Sequence, residues 1–336
     1  MTYIKLGVAI KTYLVSGVAG FIGMHFAKRL LDLGHQVVGL DNINDYYDVG
    51  LKNKRLAQLE SYPVFSFKKV DLTQYDQLKD VFLDFKFDAI IHLAAQAGVR
   101  YSLEKPQLYI QSNIVGFQNF IQLASNYKIE HFVFASSSSV YGNNASGPFS
   151  EDHCTSKPVS LYAASKKTNE LIASVYSQTH NLKTTGLRYF TVYGPWGRPD
   201  MSPWLFSNAI LAKKQIDIFN NGNMLRDFTY IDDIVEGTLL ALNRKKGNIS
   251  EVYNLGGNSP VELMSYITLL EDAFSIKAVK KFLPMQPGDV KTTYASINKI
   301  KEHLDFVPNT KLEEGIEHWA KWFNAYFYEH IINRKI

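Results

Sequence analysis

The stretch that decides the fold is Thr12–Gly23, TYLVSGVAGFIG. Thr12–Ser16 is a short, largely apolar run of strand length. It leads directly into Gly17-x-x-Gly20-x-x-Gly23, and Ile22–Leu33 continues with helical apolar spacing. Glycines at a strand-to-helix turn let the backbone approach a pyrophosphate closely, and the helix N-terminus favours its anionic oxygens. The next apolar run, Gln36–Leu40, ends on Asp41. A carboxylate at that strand end accepts hydrogen bonds from both ribose hydroxyls of a dinucleotide and repels a 2′-phosphate. The residues therefore point to NAD rather than NADP.

Outward from this turn, further strands are expected at Val64–Lys69, Ala89–Leu93, His131–Ala135 and Lys183–Tyr189, with helices at Gln107–Asn126 and Leu161–Thr179. Strand–helix alternation calls for right-handed crossovers and a doubly wound parallel sheet with helices on both faces. The fold class is thus α/β, Rossmann-type. After Phe190 the texture changes: Gly194, Pro195, Gly197, Pro199 and Pro203 mark an irregular segment. Shorter elements follow, with helices expected near Trp204–Lys213, Asp232–Asn243, Val261–Phe274 and Leu312–Tyr328, and strands near Asp227–Ile231 and Val252–Leu255. The expected organisation is a dinucleotide-binding domain over residues 11–190, with parts of 226–258 returning to it, and a smaller mixed α/β C-terminal substrate lobe over 191–330.

Composition narrows the class. A formal charge of +4 over 336 residues, without a long basic run, does not describe a nucleic-acid binder. Cys154 is the single cysteine, so no internal disulfide forms and a reducing compartment is expected. No apolar run reaches a membrane span's length, and the N-terminus lacks a signal peptide's apolar core, which together suggest a cytoplasmic protein with no membrane partner. The nine histidines show no metal-ligand spacing, so no metal is expected.

The glycine spacing is similar to that of the extended short-chain dehydrogenase/reductase family, to which NAD-dependent epimerases and dehydratases belong. Other segments resemble the family in the right order. The resemblance implies cofactor contacts at Gly17, Gly20, Phe21, Ile22, Gly23, Asp41 and Asn42, and an adenine contact at Asp71-Leu72. It also implies a loop along the cofactor at HLAAQAGV, with Leu93, Ala94 and Ala95 touching it, and a structural asparagine at Asn113.

Tyr162-x-x-x-Lys166 carries the chemistry. Residues four apart share a helix face, and an ammonium beside a phenol favours the phenolate, a base for a hydroxyl proton. In the family a Ser or Thr at the preceding strand end completes the set, and FVFASSSSVYG places Ser137 there. Both Tyr162 and Lys166 are also cofactor contacts in the family. Dehydratases carry Asp and Glu immediately after this residue, and decarboxylases a nearby glutamate; here Ser138 and Ser139 stand there. Elimination needs an acid and a base that two serines do not provide, so epimerisation is favoured.

On the substrate side, RYFTVYGPWGRPDM, Arg188–Met201, resembles the UDP-glucuronate 4-epimerases of bacteria and plants. That resemblance implies that Thr191, Ser138, Ser139 and Arg198 surround a sugar carboxylate, for which an arginine fork and short hydroxyls are suited. Arg226 is implied at the diphosphate and Asp289 at the ribose of a UDP-sugar, while Gln286 replaces an arginine common in hexose epimerases. Asn44–Tyr47 and Arg100 also match the uronate group, without an assigned role. Family members pair through helices corresponding to Gln107–Asn126 and Leu161–Thr179, so a homodimer is expected. The rival readings are a UDP-N-acetylhexosamine or UDP-hexose 4-epimerase, then a decarboxylase or dehydratase, then a non-catalytic NAD-binding protein.

Overall fold

The computed structural model describes residues 9–143, 147–285 and 292–332. Six strands of the first half lie at Thr12–Ser16 (β1), Gln36–Asp41 (β2), Phe65–Lys69 (β3), Ala89–His92 (β4), His131–Ser137 (β5) and Thr184–Tyr189 (β6). All pair in parallel, and Ser250–Leu255 adds to the far edge beside β6, giving a seven-stranded sheet. Numbering the remaining strands in chain order, Thr191–Tyr193 is β7, Gln215–Ile218 β8, Leu225–Tyr230 β9, Ser250–Leu255 β10, Pro260–Glu262 β11, Val279–Phe282 β12 and Thr292–Thr293 β13. The sheet order is β10-β6-β5-β4-β1-β2-β3, the order of strand addition reversing between β1 and β4.

Burial explains why the central strands β1, β2, β4 and β5 read as apolar runs, while the edge strand β3, FSFKK, is only half-buried. Side chains alternate across a strand, and both faces are covered. Leu14, Ile90 and Phe132 pack into one layer with Phe117 and Phe120, while Val15, Ile91 and Val133 pack into the other with Met24 and Leu30. The glycine turn is equally constrained. Gly17 sits at φ +73°, and a Cβ there would lie 2.6 Å from the Ala94 backbone nitrogen. A Cβ on Gly23 would collide with the Gly17 carbonyl oxygen, so only glycine lets helix Phe21–Asp32 start this close to β1.

The smaller lobe holds a mixed sheet in which β9 is flanked by antiparallel β11 and parallel β7 and β13, plus a parallel β8–β12 pair. Its core is aromatic, with Trp204, Trp319 and Phe323 in edge and stacked contact. Among the described residues no helix is long and apolar enough to cross a membrane.

Two expected helices differ. Gln107–Asn126 is not one α-helix: Pro106–Tyr109 and Gly116–Asn126 flank a π-helical stretch, Ile110–Val115. The wider turn accompanies the burial of Asn113, which accepts from Gln96 N at 2.7 Å and donates to Gln96 O and Ser165 Oγ at 3.0 Å each. The last α-helix ends at Tyr326 and continues as a π turn, Phe327–Ile332.

Candidate active site

The site lies beyond the carboxyl ends of the parallel strands, at the reversal between β1 and β4, where open α/β sheets bind ligands. A cleft of about 1110 Å³ opens there, and every cofactor, catalytic and substrate contact expected from the sequence lines it except Asp289, while the structural Asn113 lies behind its wall. Asp289 and Gln286 lie outside the described residues.

The cofactor half follows from local chemistry. Gly17 N and Val18 N donate to Leu40 O, locking the glycine turn against the end of β2. Asp41 closes that strand; its carboxylate accepts from Ala19 N at 3.1 Å and Ile43 N at 2.9 Å. Burial raises its pKa despite these bonds. Asp71 accepts from Asn42 Nδ2 and from the Thr73 amide and hydroxyl; burial works against the charge, but these bonds lower its pKa on balance. The bare glycine surface, the Asp41 carboxylate and the Leu93–Ala95 loop form a cradle suited to a dinucleotide. A Cβ at Gly17 would collide with Leu93 and Ala94 of that loop.

Ser137 ends β5 and caps a short 3₁₀ turn, Ser138–Tyr141. Its hydroxyl accepts from Ser139 N and donates to Ser139 Oγ, both at 3.1 Å. Helix Leu161–His180 brings Tyr162 and Lys166 to the same wall, started by Ser160 Oγ accepting from Ala163 N. The pairing of Tyr162 with Lys166 differs from the sequence expectation. Lys166 is buried and donates to Ala135 O at 2.8 Å, and burial lowers its pKa to about 7. Burial raises the pKa of Tyr162. The groups opposing that rise are the Arg198 guanidinium and a hydrogen bond with Ser137, not Lys166.

Thr191 opens β7, and Ser138, Ser139, Thr191 and Arg198 line the cleft with Tyr162. Arg198 carries a partner that the sequence did not reveal: its Nε and Nη2 fork onto Asp200 at 3.0 and 2.5 Å. Tyr46 OH donates to the same carboxylate at 3.0 Å. The Arg198-x-Asp200 spacing and Asn44–Tyr47 were visible, but nothing local links segments more than 150 residues apart. Across the cleft, Arg226 on β9 donates to Leu225 O at 2.8 Å, and the Arg100 guanidinium lies over the Phe219 ring. Among the described residues no three or more His, Cys, Asp or Glu side chains are grouped to hold a metal.

This arrangement of cradle, tyrosine and lysine agrees with a match of residues 13–256 to the NAD dependent epimerase/dehydratase family. The chain belongs to that family. As an NAD-dependent epimerase/dehydratase family enzyme, it is 46% identical over 330 residues to Protein CapI of Staphylococcus aureus, covering 94% of this chain and 98% of CapI. It is 44% identical over 332 residues to UDP-glucuronate 4-epimerase 4 of Arabidopsis thaliana, covering 94% of this chain and 76% of the plant protein. Among solved structures it resembles UDP-glucuronic acid 4-epimerase from Bacillus cereus, in complex with UDP-glucuronic acid and NAD. That likeness has a TM-score of 0.88 at 37% identity and covers 94% and 99% of the two chains.

Proposed function

We propose that this family member inverts carbon 4 of UDP-glucuronate to give UDP-galacturonate, and that it works as a homodimer in the cytoplasm. The observation that carries the reading is the convergence on one wall of Tyr162 and Ser137 with Thr191, Ser138, Ser139 and Arg198. The first pair handles a hydroxyl proton. The second set offers hydroxyl and guanidinium donors to a carboxylate. The likeness to the Bacillus cereus and plant UDP-glucuronate epimerases supports it.

Gly17, Gly20, Gly23 and the following Phe21–Ile22 would hold the pyrophosphate of NAD, Asp41 and Asn42 the ribose, Asp71 and Leu72 the adenine, and Leu93–Ala95 the length of the cofactor. NAD held there would supply a reversible hydride acceptor for carbon 4 and would end each cycle unchanged. Tyr162, as phenolate, takes the 4-hydroxyl proton when the ketone forms and returns it when the alcohol is restored. Ser137 donates to the reacting oxygen and orients it. Lys166, buried beneath and anchored to the Ala135 carbonyl, would offer a further donor to the cofactor ribose. Ser138 and Ser139 offer no acid–base pair for elimination, which separates this reading from dehydration.

Exposed Leu108, Leu171 and Val175 on helices Pro106–Tyr109 and Leu161–His180 give an apolar face for a two-fold partner. Light scattering reporting a monomer at micromolar concentration would remove the dimer. Incubation with UDP-glucuronate, followed by NMR of the sugar, tests the activity: UDP-galacturonate is the expected product. Turnover of an uncharged UDP-hexose with none of UDP-glucuronate would overturn the uronate reading.

A further inference from the structure

Resting on the uronate reading, we propose that Tyr46 and Asp200 are positioning residues that aim Arg198 at the sugar carboxylate. Their segment, Asn44–Tyr47, grips the substrate loop from the cofactor side.

Asp200 takes the Nε–Nη2 edge of Arg198 as a bidentate fork. Nη1 lies outside that fork, on a side chain that lines the cleft. Asp200 offsets part of the guanidinium charge, so what Arg198 offers a carboxylate is a charge-assisted hydrogen bond whose direction matters. Such a donor is only as selective as its orientation is fixed. The side chains of the pair are 24% and 31% exposed, so solvent alone would leave the arginine several rotamers. Tyr46 removes that freedom. Its hydroxyl holds Asp200, its ring packs 4.9 Å from Tyr101, and it fits over Gly98, where a Cβ would lie 2.6 Å from the hydroxyl.

The neighbouring tyrosine grips the same loop from the other end. Tyr47 OH accepts from Arg55 Nη1 at 2.7 Å, and the fully buried Arg55 also donates to Trp196 O, Gly197 O and Ala19 O. Ala19 lies inside the glycine turn; Trp196 and Gly197 immediately precede Arg198. Two non-glycine residues are held at positive φ along this path, Ile43 at +52° and Trp196 at +64°. A β-branched or bulky residue adopts that conformation only where its surroundings impose it. Cofactor turn, tyrosine pair and substrate arginine therefore form one connected unit.

The test uses Tyr46→Phe and Asp200→Asn, which keep ring and shape while removing the hydroxyl or the charge. In the NAD-bound holoenzyme, both should raise the KM for UDP-glucuronate by about tenfold, the scale of one charge-assisted hydrogen bond. Both should also raise the ratio of decarboxylated pentose to epimer, and leave the KM for UDP-glucose within about twofold. A structural defect alone would move both substrates together. Binding of the two nucleotides in a Tyr162→Phe background gives a readout independent of turnover. Equal affinity in that parent overturns the uronate reading and the inference with it. Preference in the parent that survives both substitutions overturns the inference alone. Tighter uronate binding in Asp200→Asn would make Asp200 a competitor for Arg198, and would also overturn it.

Discussion

Replacing Arg198 with alanine should change what the enzyme makes as well as how fast it makes it. Oxidising carbon 4 of a glucuronate places a ketone β to the carboxylate, and such an acid loses carbon dioxide when its carboxyl bond aligns with the carbonyl π system. Donors that fix the carboxylate rotor oppose that alignment. A hydrogen bond to a charged group contributes roughly 1.5–3 kcal/mol, so losing it weakens UDP-glucuronate binding roughly 10- to 150-fold. The structure places the expected value in the upper part of that range. Without Arg198, the Asp200 carboxylate loses its counter-charge, keeps the neutral Tyr46 hydroxyl and faces the cleft as an anion beside an anionic substrate. The double variant Arg198→Ala/Asp200→Asn should therefore recover part of the lost affinity, and the cycle measures that coupling. A pH effect accompanies it. Arg198 is the leading influence opposing the burial-driven rise of the Tyr162 pKa, so its loss raises that pKa further. The proton acceptor is the deprotonated form, and the ascending limb of the pH–kcat profile should move to higher pH. NMR of epimer and pentose products, with KM for UDP-glucuronate and UDP-glucose, reads all three effects. Unchanged binding and unchanged product partitioning would place the carboxylate elsewhere and remove the main physical support for a uronate substrate.

Tyr162→Phe keeps the ring edge-on to Tyr109 and removes the proton acceptor; turnover should fall by at least about 10²-fold with an unaltered circular dichroism spectrum, and near-normal turnover would exclude this base. Asp41 should make NAD more effective than NADP in reconstituting apo-enzyme, and equal activity with the two would move Asp41 away from the ribose. Lys166→Met should be inactive yet more resistant to heat at pH 6, by at least about 2 °C, because an ammonium is no longer buried. The sign follows from linkage: the folded pKa of about 7 lies below the unfolded value, so the unfolded chain binds more protons between the two, and wild-type stability rises with pH across that window. The advantage of Lys166→Met should therefore shrink as pH approaches 10, and calorimetry showing no pH-dependent difference would contradict it.

By itself the sequence determined the six leading strands of the sheet to within a few residues at each end. Both faces of the sheet's centre are buried, so β1, β2, β4 and β5 hold contiguous apolar runs that need no distant partner to be recognised, while the half-buried edge strand β3 carries Ser66, Lys68 and Lys69. It determined the glycine turn too, since the close approach of Gly20 and Gly23 to the Gly17 carbonyl is enforced within the turn itself, whereas the crowding of Gly17 by Leu93 and Ala94 comes from the fold. It also named, from Asp41 to Arg198, residues that the fold gathers along one cleft. Helix Val49–Glu60 had no such signature. Its inward face carries Lys52 and Arg55, which satisfy carbonyls and a hydroxyl of other segments, so the apolar period is broken where burial is greatest. The π stretch at Ile110–Val115 leaves no mark in a helical apolar pattern. Only the tertiary structure decided which charges meet. Tyr46 and Asp200 are 154 residues apart, and Arg55 and Trp196 141 apart. Lys166 turns to the Ala135 carbonyl, while Arg198 supplies the charge that acts on Tyr162. A pKa depends on burial and on the nearest charge in space, and neither is a property of spacing along the chain.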